Sequence, residues 1–330
     1  MRPNIFNYAT SELSQDAFFC WLLEWSKEEY VGEELNTTSL RLINYILEKT
    51  NGEKVTSVKQ IEIIKQEAKI DFYAKINNNT IILFESKTET QFHDDQLSRY
   101  RKYIENKYRN YQISCVYIKS GITWKNERKY VAEANYFVLD NIELLSVFKN
   151  YENEDLCGDF AKSVLSKLDI YNSYNSLQFN EWKNNATAWL GFYSYLENKI
   201  DGSGVGFWAG GKKTWFTLVN HYWYDSEMDT EIDISLVMER RMITIDANPY
   251  EDVDAEKCQK YLTEIICRNN FMDIEGSFLN PISKNNKNIR IVTIPDILIQ
   301  DLNDVINVEE ITDKIMGIIN KFNNCLNTFK

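Results

Sequence analysis

The sequence predicts an α/β fold whose first half orders its elements as helix, three strands, helix, strand, followed by an α+β region. Three observations carry that prediction. Ala17, Phe18, Trp21, Leu22 and Trp25 recur at helical spacing just after Thr10, Ser11 and Ser14, any of which can cap a helix. Ile70, Phe72 and Ala74 alternate as in a strand. After the turn tripeptide Asn77-Asn78-Asn79, the run Ile81-Ile82-Leu83-Phe84 has the unbroken apolar character of a buried strand.

A second helix is expected over residues 38–49, ended by Asn51-Gly52. Strands are expected at 58–66, 69–76 and 80–87, then a helix over 93–107 and a strand over 112–118. A strand at 136–139 and a helix at 141–150 close the first unit, and the polarity of residues 151–183 places a domain change near 150. Residues 151–330 read as an accessory region. It has polar helical stretches over 155–183 and a helix at 186–196, then extended segments at 202–211, 215–224, 231–238 and 242–247. A helix at 255–269, a strand at 289–294 and a helix at 308–328 complete it. The glycine-dense stretch 202–211 lacks the Gly-Lys-Ser/Thr of a phosphate-binding loop and reads as a hairpin connection. Aromatic residues on both faces of 215–224 suggest a sheet buried on both sides.

With 330 residues and 44% apolar content, the chain can build a sizeable core. No apolar run has the length of a membrane span, and residues 1–10 carry no secretory signal, so a cytoplasmic protein is expected. Six cysteines without a Cys-x-x-Cys pair read as reduced thiols. Only His93 and His221 are present, which leaves carboxylates as the metal ligands available.

The net charge of −12 is unevenly placed: residues 1–150 sum to −1 and residues 151–330 to −11. Within the first half, residues 99–129 sum to +7, through Arg99, Arg101, Lys102, Lys107, Arg109, Lys119, Lys125, Arg128 and Lys129. Such a patch can meet phosphates, and Tyr100, Tyr103, Tyr108 and Trp124 can stack on bases. A solvated helix face and loop is the commoner explanation of a charge run alone. The acidic second half would repel nucleic acid and suits a protein partner, or the shaping of a channel.

The candidate chemistry lies at the strand ends. Glu85 and Lys87 are two apart on one strand and share a face, and the hairpin through Asn77–Asn79 brings Asp71 beside them. Two carboxylates there can bind Mg²⁺ through oxygen, and the lysine can orient an attacking water. Glu-x-Lys alone is weak evidence, because it occurs six times. Only Glu85–Lys87 directly follows an apolar strand preceded by a hairpin that carries an acid. Gln96 and Tyr100 stand at i, i+4 on the next helix, and Glu12, with Asp16 one turn on, opens the first helix.

Together, Ser11–Leu23 (which contains Ser-Gln-Asp-Ala-Phe), Ile70-Asp71, Phe84-Glu85-Ser86-Lys87 and Phe92–Tyr100 resemble the PD-(D/E)xK nuclease superfamily, in its RecB-like branch with a Gln-x-x-x-Tyr helix. Within it, the likeness is to a group of uncharacterised bacterial and phage-associated proteins. The resemblance implies a restriction-endonuclease-like core over residues 1–150 and an Mg²⁺- or Mn²⁺-dependent phosphodiesterase acting on DNA, with RNA left open. It implies Asp71 and Glu85 as metal ligands together with Glu12 and the Ser86 carbonyl, Lys87 as the catalytic lysine, and Gln96 and Tyr100 as an accessory pair. Bacterial defence, mobile elements or repair would be the setting. The alternative is a nuclease-like fold that binds or regulates without cutting. Ile70 stands where the superfamily has proline, and Thr88 where a branched apolar residue is expected.

Overall fold

The computed structural model describes residues 3–88, 95–149, 151, 153–182, 185–207, 214–249, 253–282, 289–297 and 303–327. The chain divides into two compact units, Met1–Ile170 and Tyr171–Lys330.

In the first unit, α1 (Glu12–Glu24) starts where the Ser11 hydroxyl accepts from the Ser14 backbone N–H. The helix α2 spans Glu34–Thr50 and begins earlier than the sequence suggested. Asn36 fixes its first turn by donating to the carbonyls of Trp25 and Lys27. A five-stranded sheet follows in simple spatial order, β1 (Ile61–Lys65), β2 (Phe72–Ile76), β3 (Thr80–Lys87), β4 (Gln112–Lys119) and β5 (Phe137–Asp140). The first three strands are antiparallel and the last three parallel. Asn77 and Asn78 both take positive φ, which lets a tight turn join β2 to β3. Positive φ at Gln66, Ala68 and Lys69 breaks the chain between β1 and β2, so both strands are shorter than expected.

The helix α3 spans Gln96–Lys107; its expected start at His93 lies outside the described residues. No sequence pattern announced α4 (Lys125–Glu133), whose only buried residues are Glu127 and Val131. After β5 come α5 (Asn141–Val147) and α6 (Leu156–Asn172). Phe160 of α6 stacks on Phe18, and Cys157 and Val164 join the same core, so the first unit runs past residue 150. One sheet face packs on α1, α2 and α6 through residues such as Phe72, Ile82, Phe84 and Val116. The other packs on α3 and α4 through Tyr73, Leu83, Tyr117 and Tyr136.

The second unit has α7 (Phe179–Trp182) and α8 (Ala186–Lys199), then a six-stranded antiparallel sheet. Its strands are β6 (Gly204–Phe207), β7 (Thr214–Asp225), β8 (Thr230–Glu239), β9 (Met242–Pro249), β10 (Phe278–Leu279) and β11 (Ile289–Ile294), in the order β10-β11-β9-β8-β7-β6. The glycine-dense residues 208–211 lie outside the described residues. Helices α9 (Ala255–Arg268) and α10 (Val308–Asn327) bury Leu262, Ile266, Ile315 and Phe322, and the His221 ring of β7 meets Phe322. The sheet is not covered on both sides along β7. Tyr222 and Tyr224 are 54% and 60% exposed, beside Asp233 and Glu231 of β8. A register shift between Thr217 and Val219 separates this exposed end from buried Phe216.

Gly191 of α8 passes so close to the preceding chain that a Cβ there would lie 1.8 Å from the Tyr171 carbonyl oxygen. Gly191→Ala must therefore push backbone against backbone and is expected to cost about 2 to 3 kcal/mol. Urea denaturation measures this, and an unchanged midpoint would mean that the helix shifts at no cost. Among the described residues no helix is long and apolar enough to cross a membrane, and all six cysteines are free thiols.

Candidate active site

The site forms where β2 begins and β3 ends. Ser86, at the buried end of β3, donates its backbone N–H to Asp71 Oδ2 at 2.9 Å, fixing that carboxylate against the neighbouring strand. Glu85 and Lys87 point to the other side of β3, toward α3. Lys87 Nζ lies 2.5 Å from Glu85 Oε1 and 3.2 Å from the Ser86 carbonyl. Gln96, in the first turn of α3, donates to the same Glu85 oxygen at 2.7 Å and to the Tyr100 hydroxyl at 3.2 Å. The i, i+4 spacing of Gln96 and Tyr100 thus places an amide over Glu85, with Tyr100 buried behind it.

The helix α1 supplies acids from the opposite side. Glu12 accepts from the Thr88 N–H at 3.4 Å and stands 3.8 Å from Lys87 Nζ. Asp16, one turn on, is more deeply set, with the Ser86 hydroxyl favouring its charged form. Gln15 donates to that hydroxyl at 2.7 Å. The sequence drew attention to Glu12 and left Asp16 as its neighbour. The polar triplet Ser14-Gln15-Asp16 inside an otherwise apolar helix was the available signal.

Crowded acids raise one another's pKa. Burial, then the Asp71 charge, pushes Asp16 up to about 7 against the opposing Ser86 hydroxyl. Burial and Asp71 likewise raise Glu85 to about 7, although Lys87 opposes them. Asp71 also rises through burial, partly offset by the Ser86 N–H. Burial works against the Lys87 ammonium, but Glu85, Asp71 and Glu12 outweigh it and lift its pKa.

Folding is therefore linked to protonation of these acids. Asp16 and Glu85 hold protons more tightly folded than unfolded, so stability falls as pH rises from about 4 toward 7 and stays reduced above that. The metal-free protein is expected to melt about 5 °C lower at pH 8 than at pH 5. Thermal melts in chelator across that range check this; a melting temperature that rises with pH would contradict the buried-acid account.

These residues suit a hard divalent cation by donor chemistry. Buried Glu85 Oε2 and Asp16 Oδ1 have no hydrogen-bond partner among the described residues, as oxygens reserved for a cation would. No three acidic, histidine or cysteine side chains among the described residues already converge as a ready-made metal set. Asp71 and Glu85 would hold the ion.

Beside this site lies a second buried constellation that sequence reading did not find. In the parallel register Tyr117 stands next to Glu85 and Lys119 next to Lys87. The Tyr117 hydroxyl and Lys119 Nζ both donate to Glu127 Oε1, at 2.5 and 3.0 Å. Lys119 is therefore removed from the basic surface, and Trp124 and Tyr100 are too buried to stack on bases. Of the candidate phosphate-binding residues on α3 and just after it, Arg99 pairs with Asp95, Arg101 with Glu105 and Lys107 with Glu67. Lys102 and Arg109 are exposed.

Compared with known protein families, residues 3–170 match the PD-(D/E)XK nuclease superfamily, which is half of the chain. The chain belongs to this superfamily. The match ends at the limit of the first compact unit, so the restriction-endonuclease-like fold and the candidate site fall inside it. No curated protein and no solved structure matches the chain. Membership makes a nuclease function, a nucleic-acid substrate and a divalent metal the general expectation for this PD-(D/E)XK protein.

Proposed function

We propose that this PD-(D/E)XK protein is an Mg²⁺- or Mn²⁺-dependent phosphodiesterase that cuts DNA, with the chemistry confined to its first unit. One observation carries the reading: at the end of β3 the Ser86 backbone N–H holds the Asp71 carboxylate while the Lys87 ammonium pairs with the Glu85 carboxylate. The cation supplies Lewis acidity and an acidified water when bound. Asp71 and Glu85 would hold it, together with the Ser86 carbonyl and Glu12. Lys87, tethered to Glu85 and the Ser86 carbonyl, orients the attacking water and offsets charge on the phosphodiester. Gln96 and Tyr100 keep Glu85 in place. Lys102 and Arg109 meet the phosphate backbone, helped by Arg99, Arg101 and Lys107 when those exchange their carboxylate partners for phosphates. The acidic second unit repels DNA and serves recognition, partner docking or the shaping of a channel. Bacterial defence, mobile-element biology or repair in a cytoplasm would use such an enzyme.

Incubation with linear, closed-circular and single-stranded DNA in Mg²⁺ or Mn²⁺ tests the reading. Cleavage that chelator abolishes supports it, and cutting of the circle identifies an endonuclease. Divalent-cation binding without cleavage of any of these, or of RNA, would favour a binding or regulatory subunit instead.

A further inference from the structure

The chain just before Asp71 is strained. Gln66, Ala68 and Lys69 take φ of 57°, 52° and 68°, yet the segment Gln66-Glu67-Ala68-Lys69-Ile70-Asp71 holds no glycine or asparagine to adopt that conformation cheaply. All three residues are exposed, so no packing of their own side chains explains the geometry. Such outliers persist only where surrounding contacts over-determine them. Here those contacts converge on Glu67. The Tyr73 hydroxyl of β2 donates to one of its carboxylate oxygens at 3.0 Å. The Tyr103 hydroxyl, at 2.5 Å, and the Lys107 ammonium, both of α3, donate to the other. Lys107 and the two phenols hold the Glu67 carboxyl down at about 2, so it stays ionised at neutral pH. The Glu67 carbonyl accepts from the Ile70 N–H at 2.9 Å, and the Gln66 N–H closes the loop on the Asp71 carbonyl at 3.1 Å. Ile70 is fully buried. Asp71 is thus gripped at its backbone by the loop and at its carboxylate by the Ser86 N–H.

We propose that Glu67 is a positioning residue for Asp71: it fastens the strained loop between β1 and β2 to α3 and so aims the Asp71 carboxylate. The proposal rests on the metal-dependent reading above and names what holds its first acid in place. The helix α3 then sets both acids, Glu85 through Gln96 in its first turn and Asp71 through Glu67, which it reaches from its last turns. When Lys107 turns to a phosphate, Tyr73 and Tyr103 keep Glu67 in place.

Calorimetric titration of the full chain with MnCl₂ alone, paired with melting in chelator, tests this without any substrate. Glu67→Ala is expected to weaken Mn²⁺ binding about tenfold. Glu67→Gln should stay within about threefold of wild type, because an amide can accept from Tyr103 and Lys107 and donate to the Tyr73 hydroxyl. Ala68→Gly added to Glu67→Ala should recover most of the lost affinity, since glycine keeps the loop's conformation without the clamp. Tyr73→Phe combined with Tyr103→Phe removes both phenol donors at little change of shape, and should weaken binding in the same direction even if Glu67→Ala does not fold. Wild-type affinity in Glu67→Ala, with binding lost in Asp71→Asn, would overturn the proposal and leave the nuclease reading standing. A lower melting temperature with unchanged affinity would make the clamp purely structural and also overturn it. A loss that Ala68→Gly leaves untouched would overturn it too, because Glu67 would not then act through the loop. No Mn²⁺ binding by the wild type would overturn both.

Discussion

Lys87→Ala is expected to lower the rate of DNA cleavage by about 10³-fold while the protein still folds and still binds metal. The ammonium sits between Glu85 Oε1 and the Ser86 carbonyl, and no other described cation contacts the Glu85 carboxylate. Removing it leaves the proposed metal ligands in place, so affinity for Mn²⁺ should hold or rise. Lys87→Arg should not restore the rate, because a planar guanidinium cannot occupy the same space 2.5 Å from Glu85. Single-turnover cleavage at saturating metal measures the effect. A rate within about threefold of wild type would remove Lys87 from the chemistry.

The second large effect concerns stability. Glu127 and Lys119 have side chains only 1% exposed, and Glu127 also receives the Tyr117 hydroxyl and the Trp124 backbone N–H, the latter at 3.3 Å. Glu127→Ala removes the buried carboxylate that an ammonium, a hydroxyl and an amide share and is expected to cost about 3 to 5 kcal/mol. The double replacement Lys119→Met with Glu127→Leu should be less damaging than Glu127→Ala alone, because it removes both charges and fills the space. Urea denaturation of wild type and both variants measures this. Equal midpoints for wild type and Glu127→Ala would show that water reaches the pair. Since Tyr117 and Lys119 stand beside Glu85 and Lys87 in the sheet, the same pair braces the strand ends that carry the candidate site.

What the sequence revealed and what it hid have physical reasons. The strand β3 was legible because an unbroken apolar run between an asparagine turn and Glu85–Lys87 has few other structural solutions. The start of α1 was legible through its serine cap, and the Gln96–Tyr100 pair through its spacing. By contrast, α4 was hidden because its inward face is a glutamate and a valine rather than an apolar stripe. Glu127 is buried only because Tyr117 and Lys119 on another strand receive it, a long-range pairing that no local pattern announces. The same limit applies to Asp16: from sequence it is an acid in the first turns of a helix, where the dipole alone explains it. Its distinction from Glu12 depends on which of the two the end of β3 covers. The helix α6 looked like the start of a second domain because it is polar overall, yet Cys157, Phe160 and Val164 belong to the first core.

A metal-dependent phosphodiesterase site built from Asp71, Glu85 and Lys87 makes cleavage depend on both the acid and the ion. Its most direct test is time-resolved cleavage of end-labelled DNA by wild type and Asp71→Asn, side by side, with Mg²⁺ and with chelator. Cleavage is expected only by wild type and only with the metal. Equal cutting by Asp71→Asn, or cutting that persists in chelator, would contradict it.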